Sequence, residues 1–310
     1  MIFILKKIKY FIPTLKQCWV IVFFMCVIGA IGGGSIVEII KIISGGKIGN
    51  VNALISYLIP MIPPFLYILY KGKEIARNNI IARERELDEH IQQPIPLNNT
   101  NLGNANIIIF VVICAVAGLA IGVVTEPLTS WMEMPENIRR LFESMMQKSV
   151  WTFIAVVIAA PIIEEFFLRG IMARGLFINT TPTKAILWSA FFFAFIHLNP
   201  WQAIPAFAVG VFIGWIYWRT HSLKACVFIH FINNGSVLLF SYLFPNIAID
   251  VTTKEILSSL GQNIYPITYA SLIIILIISI YYLNKKLPTN GFNQYQTPNS
   301  AVAKNILTNE

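Results

Sequence analysis

Long apolar runs alternate with short polar breaks along the whole chain. A helix that crosses a bilayer needs ~20 mostly apolar residues. Eight runs meet or approach that length: about 18–40, 51–70, 106–124, 150–177, 184–198, 203–218, 225–245 and 266–283. The fifth and sixth are short and are divided by Asn199-Pro200, which predicts a tight helical hairpin. Breaks fall at Gly45-Gly46, Pro127, Pro182, Pro200 and Pro245, residue types that interrupt helices. No internal repeat is visible. The pattern predicts an all-α, polytopic membrane protein of about eight transmembrane helices.

The polar stretches divide the chain into three parts. Residues 1–105 hold two spans and a connection, 106–287 form a membrane core, and 288–310 are polar and Asn-rich. That tail is expected to be disordered, because it has too little apolar surface to bury. In the connection, Lys71 to His90 mixes both charge signs with Ile75, Ile80, Ile81 and Leu87. It either extends the second helix or lies on the membrane surface, and a solvated helix is the simpler reading. Pro94, Pro96 and the Asn-rich stretch to Asn106 read as a linker.

Composition strengthens the membrane reading. Of 310 residues, 56% are apolar and 12% charged, against roughly 25% charged in soluble domains. That excludes an ordinary soluble chain. The net charge of +8 raises the question of nucleic acid. The basic residues sit between apolar runs, however, so lipid is the expected partner and nucleic acid is not. With eight spans, both termini share a side with Lys6–Lys16, Lys71–Arg85, Arg169–Lys184, Arg219, Lys224 and Lys285–Lys304. The other side holds only Lys41, Lys47, Arg139, Arg140, Lys148 and Lys254. The imbalance predicts cytoplasmic termini, here in a bacterial plasma membrane. No small-residue cleavage site follows Lys6-Lys7-Lys9, so the first span is read as uncleaved. Cys18, Cys26, Cys114 and Cys226 lie in or at the start of apolar runs without a CxxC pair. They read as small buried residues rather than a disulfide framework or a cysteine zinc site.

An ionisable residue inside a span costs roughly 2.5–3.5 kcal/mol on insertion scales and is a functional hypothesis by default. The fourth run contains PIIEEFFLRG, with Glu164, Glu165 and Arg169. Glu165 and Arg169 are four apart and can pair on one helix face. Glu164 points about 100° away, has no partner nearby on its own helix, and suits a general acid or base. The fifth run sets Phe193 four residues before His197, and the seventh sets His230 four before Asn234. A lone histidine in an apolar run is more often a hydrogen-bonded core residue. Three runs that each carry such a group make the combination more telling than its parts. Counted from Phe177 and Lys184, Glu164 and His197 both lie about 20 Å deep; counted from Lys224, His230 and Asn234 lie roughly 9 and 15 Å deep. These depths predict a polar cavity that opens toward the cytoplasm. Other polar residues are weaker candidates. Glu38 and Lys41 are placed to snorkel, His90 and His221 fall in connections and are expected to be solvated, and Gly32-Gly33-Gly34 reads as close helix packing.

Glu164-Glu165-x-x-x-Arg169, Phe193-x-x-x-His197 and His230-x-x-x-Asn234 are similar, in order and type, to the three motifs of the CAAX-protease and bacteriocin-processing (CPBP, Abi-type) family. The resemblance covers about 150–245; residues 1–105 resemble nothing comparable. It implies an all-helical membrane core around a conical cavity, and an intramembrane endopeptidase acting on a protein or peptide substrate that is lipidated in some members. In that reading Glu164 is the catalytic carboxylate and His197 its partner in activating water. His230 and Asn234 stabilise the oxyanion, with Glu165, Arg169 and Phe193 in support. The chemistry is consistent, since peptide hydrolysis needs an activated water and donors aimed at the developing oxyanion. A metal-free glutamate mechanism is favoured. The alternative is zinc held by Glu164, His197 and His230, against which the chain has no HExxH and Asn is a poor zinc ligand. Two other classes compete: a non-proteolytic bacteriocin-immunity or membrane binding protein of the same fold, and a transporter. Inverted repeats would favour the transporter, and none is visible.

Overall fold

The computed structural model describes residues 6–45, 49–85, 92–145, 148–248 and 250–295. Regular structure in these residues is entirely helical. In chain order the helices are α1 (Leu15–Ile43), α2 (Asn52–Glu84), α3 (Ile107–Leu128), α4 (Glu136–Met145), α5 (Val150–Asn179), α6 (Pro182–Phe195), α7 (Pro200–Thr220), α8 (Leu223–Leu243), α9 (Thr253–Leu260) and α10 (Ile264–Lys286). Seven of them, α1, α2, α3, α5, α7, α8 and α10, are long and apolar enough to cross a membrane. The fifth apolar run is the exception. Its helix α6 has 14 residues, about 21 Å at 1.5 Å per residue, and is too short to span by itself.

Local sequence sets these boundaries. α6 starts at Thr181, whose hydroxyl accepts from Lys184 N, with Pro182 in the first turn, where a missing N–H costs nothing. Asn199 and Pro200 do the same for α7, and Ser222 caps α8. Between α6 and α7 the chain turns through Leu198 at φ 55°. The two helices form the expected antiparallel hairpin, with Gly210 against Ala190 and Gly214 against Ile186. A β-carbon on Gly210 would stand 3.0 Å from Ala190 Cα, so a larger residue would push the hairpin apart.

Two long helices are locally widened. α1 is π-helical over Phe24–Gly33, and α5 over Ile154–Ala159 and again over Phe166–Ala173. The glycines of α1 pack as expected only in part. Gly29 and Gly33 abut Pro60 of α2, whereas Gly32 and Gly34 face open space. A β-carbon on Gly29 would lie 2.2 Å from the Pro60 carbonyl oxygen.

One end of the bundle is tied together by buried cations and backbone. Arg174 is fully buried and donates to the carbonyls of Ile8, Lys9, Phe11 and Ile95. Arg219 donates to Asn284, Leu287 and Pro288. Asn99 N and Asn101 N bond the carbonyls of His221 and Thr220, and Gly291 N bonds Trp218 O. The N-terminal segment, the linker and the residues after α10 therefore lie at the same end. Buried apolar side chains form a cluster running from Ile8 and Ile21 through Phe167, Phe192 and Ile213 to Leu283 and Phe292, so residues 6–85 share it with the motif-bearing helices.

One expectation is met here and two change. The connection from Lys71 continues α2 as helix to Glu84, while His90 lies outside the described residues. Residues 288–295 of the tail are docked rather than disordered, with Phe292 fully buried against Phe177, Tyr217 and His221; residues 296–310 lie outside the described residues. His221 is buried, not solvated. Its Nε2 donates to Pro96 O at 2.8 Å. Burial holds its pKa down at about 4, against the ordinary 6.5, with the Arg174 charge adding to the effect.

Candidate active site

The linker brings the motif helices into one register. Arg174 and His221 are both bound to it, at Ile95 and Pro96. Glu165 lies nine residues before Arg174 on α5, and His230 nine residues after His221 on α8. The two side chains meet, with His230 Nδ1 2.9 Å from Glu165 Oε1. The depth count from the sequence set His230 about 11 Å shallower than Glu164, yet their side chains approach to 4.0 Å.

Glu165 is fully buried and accepts from Arg169 Nη1 at 2.9 Å, the pair expected from their spacing. Arg169 also donates from Nη2 to Gly210 O at 3.0 Å, and its guanidinium lies 4.8 Å from the centre of the Phe193 ring. His230 adds a second bond to the same carboxylate, Nδ1 to Glu165 Oε1 at 2.9 Å. A carboxylate paired with arginine only accepts, so Nδ1 carries the hydrogen and Nε2 is turned outward. That nitrogen stands 4.0 Å from Glu164 Oε2.

Glu164 has no partner on α5. Its other oxygen, Oε1, accepts a 3.1 Å hydrogen bond from Tyr57 OH of α2. Nothing in the sequence marks Tyr57, because tyrosine is an ordinary residue in a span and the bond joins positions 107 apart.

His197 stands at the end of α6. Its Nδ1 donates to Phe193 O at 2.7 Å. A carbonyl can only accept, so Nε2 is the basic nitrogen. The Phe193 ring meets both imidazoles edge-on, at 5.3 Å from His197 and 5.1 Å from His230. Among the described residues no hydrogen bond or ion pair joins His197 to Glu164.

Asn234 donates from Nδ2 to Val156 O at 3.0 Å. The wide stretch of α5 explains why that carbonyl is open. Ala160 N bonds Ala155 O, five residues back, so in the same register Val156 O would need the N–H of residue 161. That residue is proline and has none. Asn234 satisfies the orphan and keeps a second amide hydrogen.

A groove of about 640 Å³ runs between α5 and α8. Val157, Pro161 and Ile162 wall one side and Val227 and Phe231 the other, with Asn98 and Lys224 at the linker end. Pro161 and Val227 each lie three residues before Glu164 and His230, on the same helix faces. The groove therefore runs beside the helix turns that carry that pair, which does not itself line it. Ile162 and Phe231 are exposed on the lipid-facing surface, so the groove is open sideways.

The residues named as possible zinc ligands are not gathered into one site. Among the described residues no three His, Cys, Asp or Glu side chains are grouped closely enough to hold an ion. The Phe193 ring contacts both the His197 and the His230 imidazole.

Fold and site together define a polytopic helical membrane protein with a cluster of hydrogen-bonded polar side chains buried between α5, α6 and α8. Residues 146–236 match the family described as type II CAAX prenyl endopeptidase Rce1-like. The match agrees with the resemblance read from the three motifs, and this stretch is a CAAX-protease-like domain of the CPBP type. It carries no link to bacteriocins, and it leaves α1 and α2, and so Tyr57, outside. No curated protein and no solved structure matches the chain.

Proposed function

We propose that the chain is an intramembrane endopeptidase with Glu164 as its general base. The observation that carries this reading is the division between two adjacent carboxylates. Glu165 is consumed by Arg169 and His230, while Glu164 Oε2 faces His230 Nε2 across 4.0 Å. A water between them lies within hydrogen-bond reach of both. Glu164 takes its proton, and the hydroxide oxygen attacks the peptide carbonyl carbon. His230 Nε2 and the second amide hydrogen of Asn234 face the oxyanion and hold it. As the C–N bond breaks, the proton passes directly from Glu164 to the leaving nitrogen. The products are a carboxylate and an amine.

The substrate approaches along the apolar groove from the lipid side, as a juxtamembrane or C-terminal peptide. The matched family is described by CAAX prenyl endopeptidases, so lipidated C-terminal peptides are the first class to test. The reaction is placed at the cytoplasmic side of a bacterial plasma membrane, where the basic residues collect. The test is cleavage of quenched peptides ending in Cys-aliphatic-aliphatic-X, with and without a farnesyl group, by the purified full chain in liposomes. Wild type should cleave and Glu164→Gln should not. Equal cleavage by both would defeat the assignment, and a protein that cleaves none of the peptides while folded would favour a binding role.

A further inference from the structure

We propose that Tyr57 is a positioning residue for Glu164, so that the active site is completed by α2, outside the family-matched segment. The proposal rests on the catalytic reading of Glu164 given above.

Glu164 is a flexible side chain, 13% exposed, with no partner on its own helix. Held by nothing, it would sample several rotamers, and a general base must keep its proton-accepting oxygen within about 0.5 Å of a productive place. The Tyr57 hydroxyl provides that hold. It binds Oε1 at 3.1 Å and leaves Oε2 directed at His230 Nε2. The two oxygens thus have separate tasks, one fixed by the phenol and one presented to the water.

The fold is built to deliver this phenol. Tyr57 lies one turn before Pro60, and Pro60 is seated in the space left by Gly29 and Gly33 of α1. The same first turns of α2, Asn52–Leu58, pack against the start of α5, residues 150–159. Close approach of α1 and α2 therefore sets where Tyr57 reaches α5. The aromatic ring is rigid, with only two side-chain torsions, so it holds the carboxylate at little entropic cost.

Tyr57→Phe removes only the hydroxyl and tests the idea. A hydrogen bond to a charged group of this kind corresponds to a roughly ten- to hundredfold fall in kcat. KM should stay within about twofold, because the phenol does not meet the peptide. A second measurement needs no substrate. The infrared carboxylate band that disappears in Glu164→Gln belongs to Glu164, and Tyr57→Phe should shift it. If Tyr57→Phe does not fold, fluorotyrosine at position 57 keeps the ring and strengthens the donor, and it should shift the same band. Wild-type kcat in Tyr57→Phe, or an unshifted Glu164 band in the folded variant or its fluorotyrosine counterpart, would overturn the proposal. Full activity of Glu164→Gln would instead sink the catalytic reading, and the infrared shift would still report the Tyr57–Glu164 contact by itself.

Discussion

Glu164 and Glu165 are adjacent in sequence and opposite in surroundings. Glu165 is buried under an arginine and a histidine, whereas Glu164 meets, among the described residues, a phenol and the far nitrogen of that same histidine. The helical turn of about 100° between neighbours is what separates them.

The two carboxylates should therefore respond differently to the same chemical change. Glu164→Gln is expected to lower kcat by roughly 10²–10⁴-fold with an unchanged melting temperature. Glu165→Gln leaves Arg169 buried without its counter-charge and should cost about 3–5 kcal/mol of stability. Peptide cleavage and thermal unfolding, measured on both variants in one detergent, check this. Equal activity losses at equal stability would contradict it.

His221 makes stability depend on pH. Its pKa is about 4 in the fold and 6.5 as an ordinary histidine. Between these values the unfolded chain binds the proton that the folded chain refuses. Stability is thus complete above about pH 6.5 and declines as pH falls toward 4, by up to about 3 kcal/mol. His221→Asn keeps a residue tolerant of the left-handed backbone at φ 48° and removes the titration. Its melting temperature should vary less between pH 7 and pH 4.5 than that of wild type.

Arg174 should behave as a staple. Arg174→Met leaves the carbonyls of Ile8, Lys9, Phe11 and Ile95 buried without a donor, each at about 1–3 kcal/mol. Limited proteolysis is expected to become faster within residues 92–105 while the spans stay protected. An unchanged cleavage pattern would show that the linker is held by other contacts.

Orientation is checked by reporter fusions after Lys286 and within 92–100. Both positions lie at the end of the bundle that carries the linker contacts, and both should report the cytoplasm. A signal from the opposite side at either place would reverse the assignment.

Metal dependence follows from the base assigned. Activity should survive dialysis against a strong chelator, with the fold monitored throughout. About one zinc per chain, with activity lost on its removal and restored on its return, would replace the glutamate mechanism with a metal one.

The sequence made the helices legible because each apolar run is bounded by capping or breaking residues, such as Thr181-Pro182 and Asn199-Pro200. The Glu165–Arg169 pair was legible for a similar reason, since i and i+4 share a helix face. What stayed hidden depends on contacts between distant segments. Tyr57 reaches Glu164 across 107 positions. The common depth of Glu165 and His230 depends on a linker that grips Arg174 and His221. Burial of His221 needs Phe292, which sits in a stretch whose polarity reads as tail.

The two wide stretches of α5 stand on either side of Ala160–Glu165. Each acts as a one-residue phase shift in the helical repeat. Each can close to ordinary α-helix and so absorb the loss of one residue, whereas the α-helical turn between them cannot. Deleting one residue from Ala160–Ile163 would swing the carboxylates by about 100° relative to the preceding part of the helix. Shortening the helix by one position would then do what no single side-chain exchange does, and turn the whole acidic pair off the bundle axis.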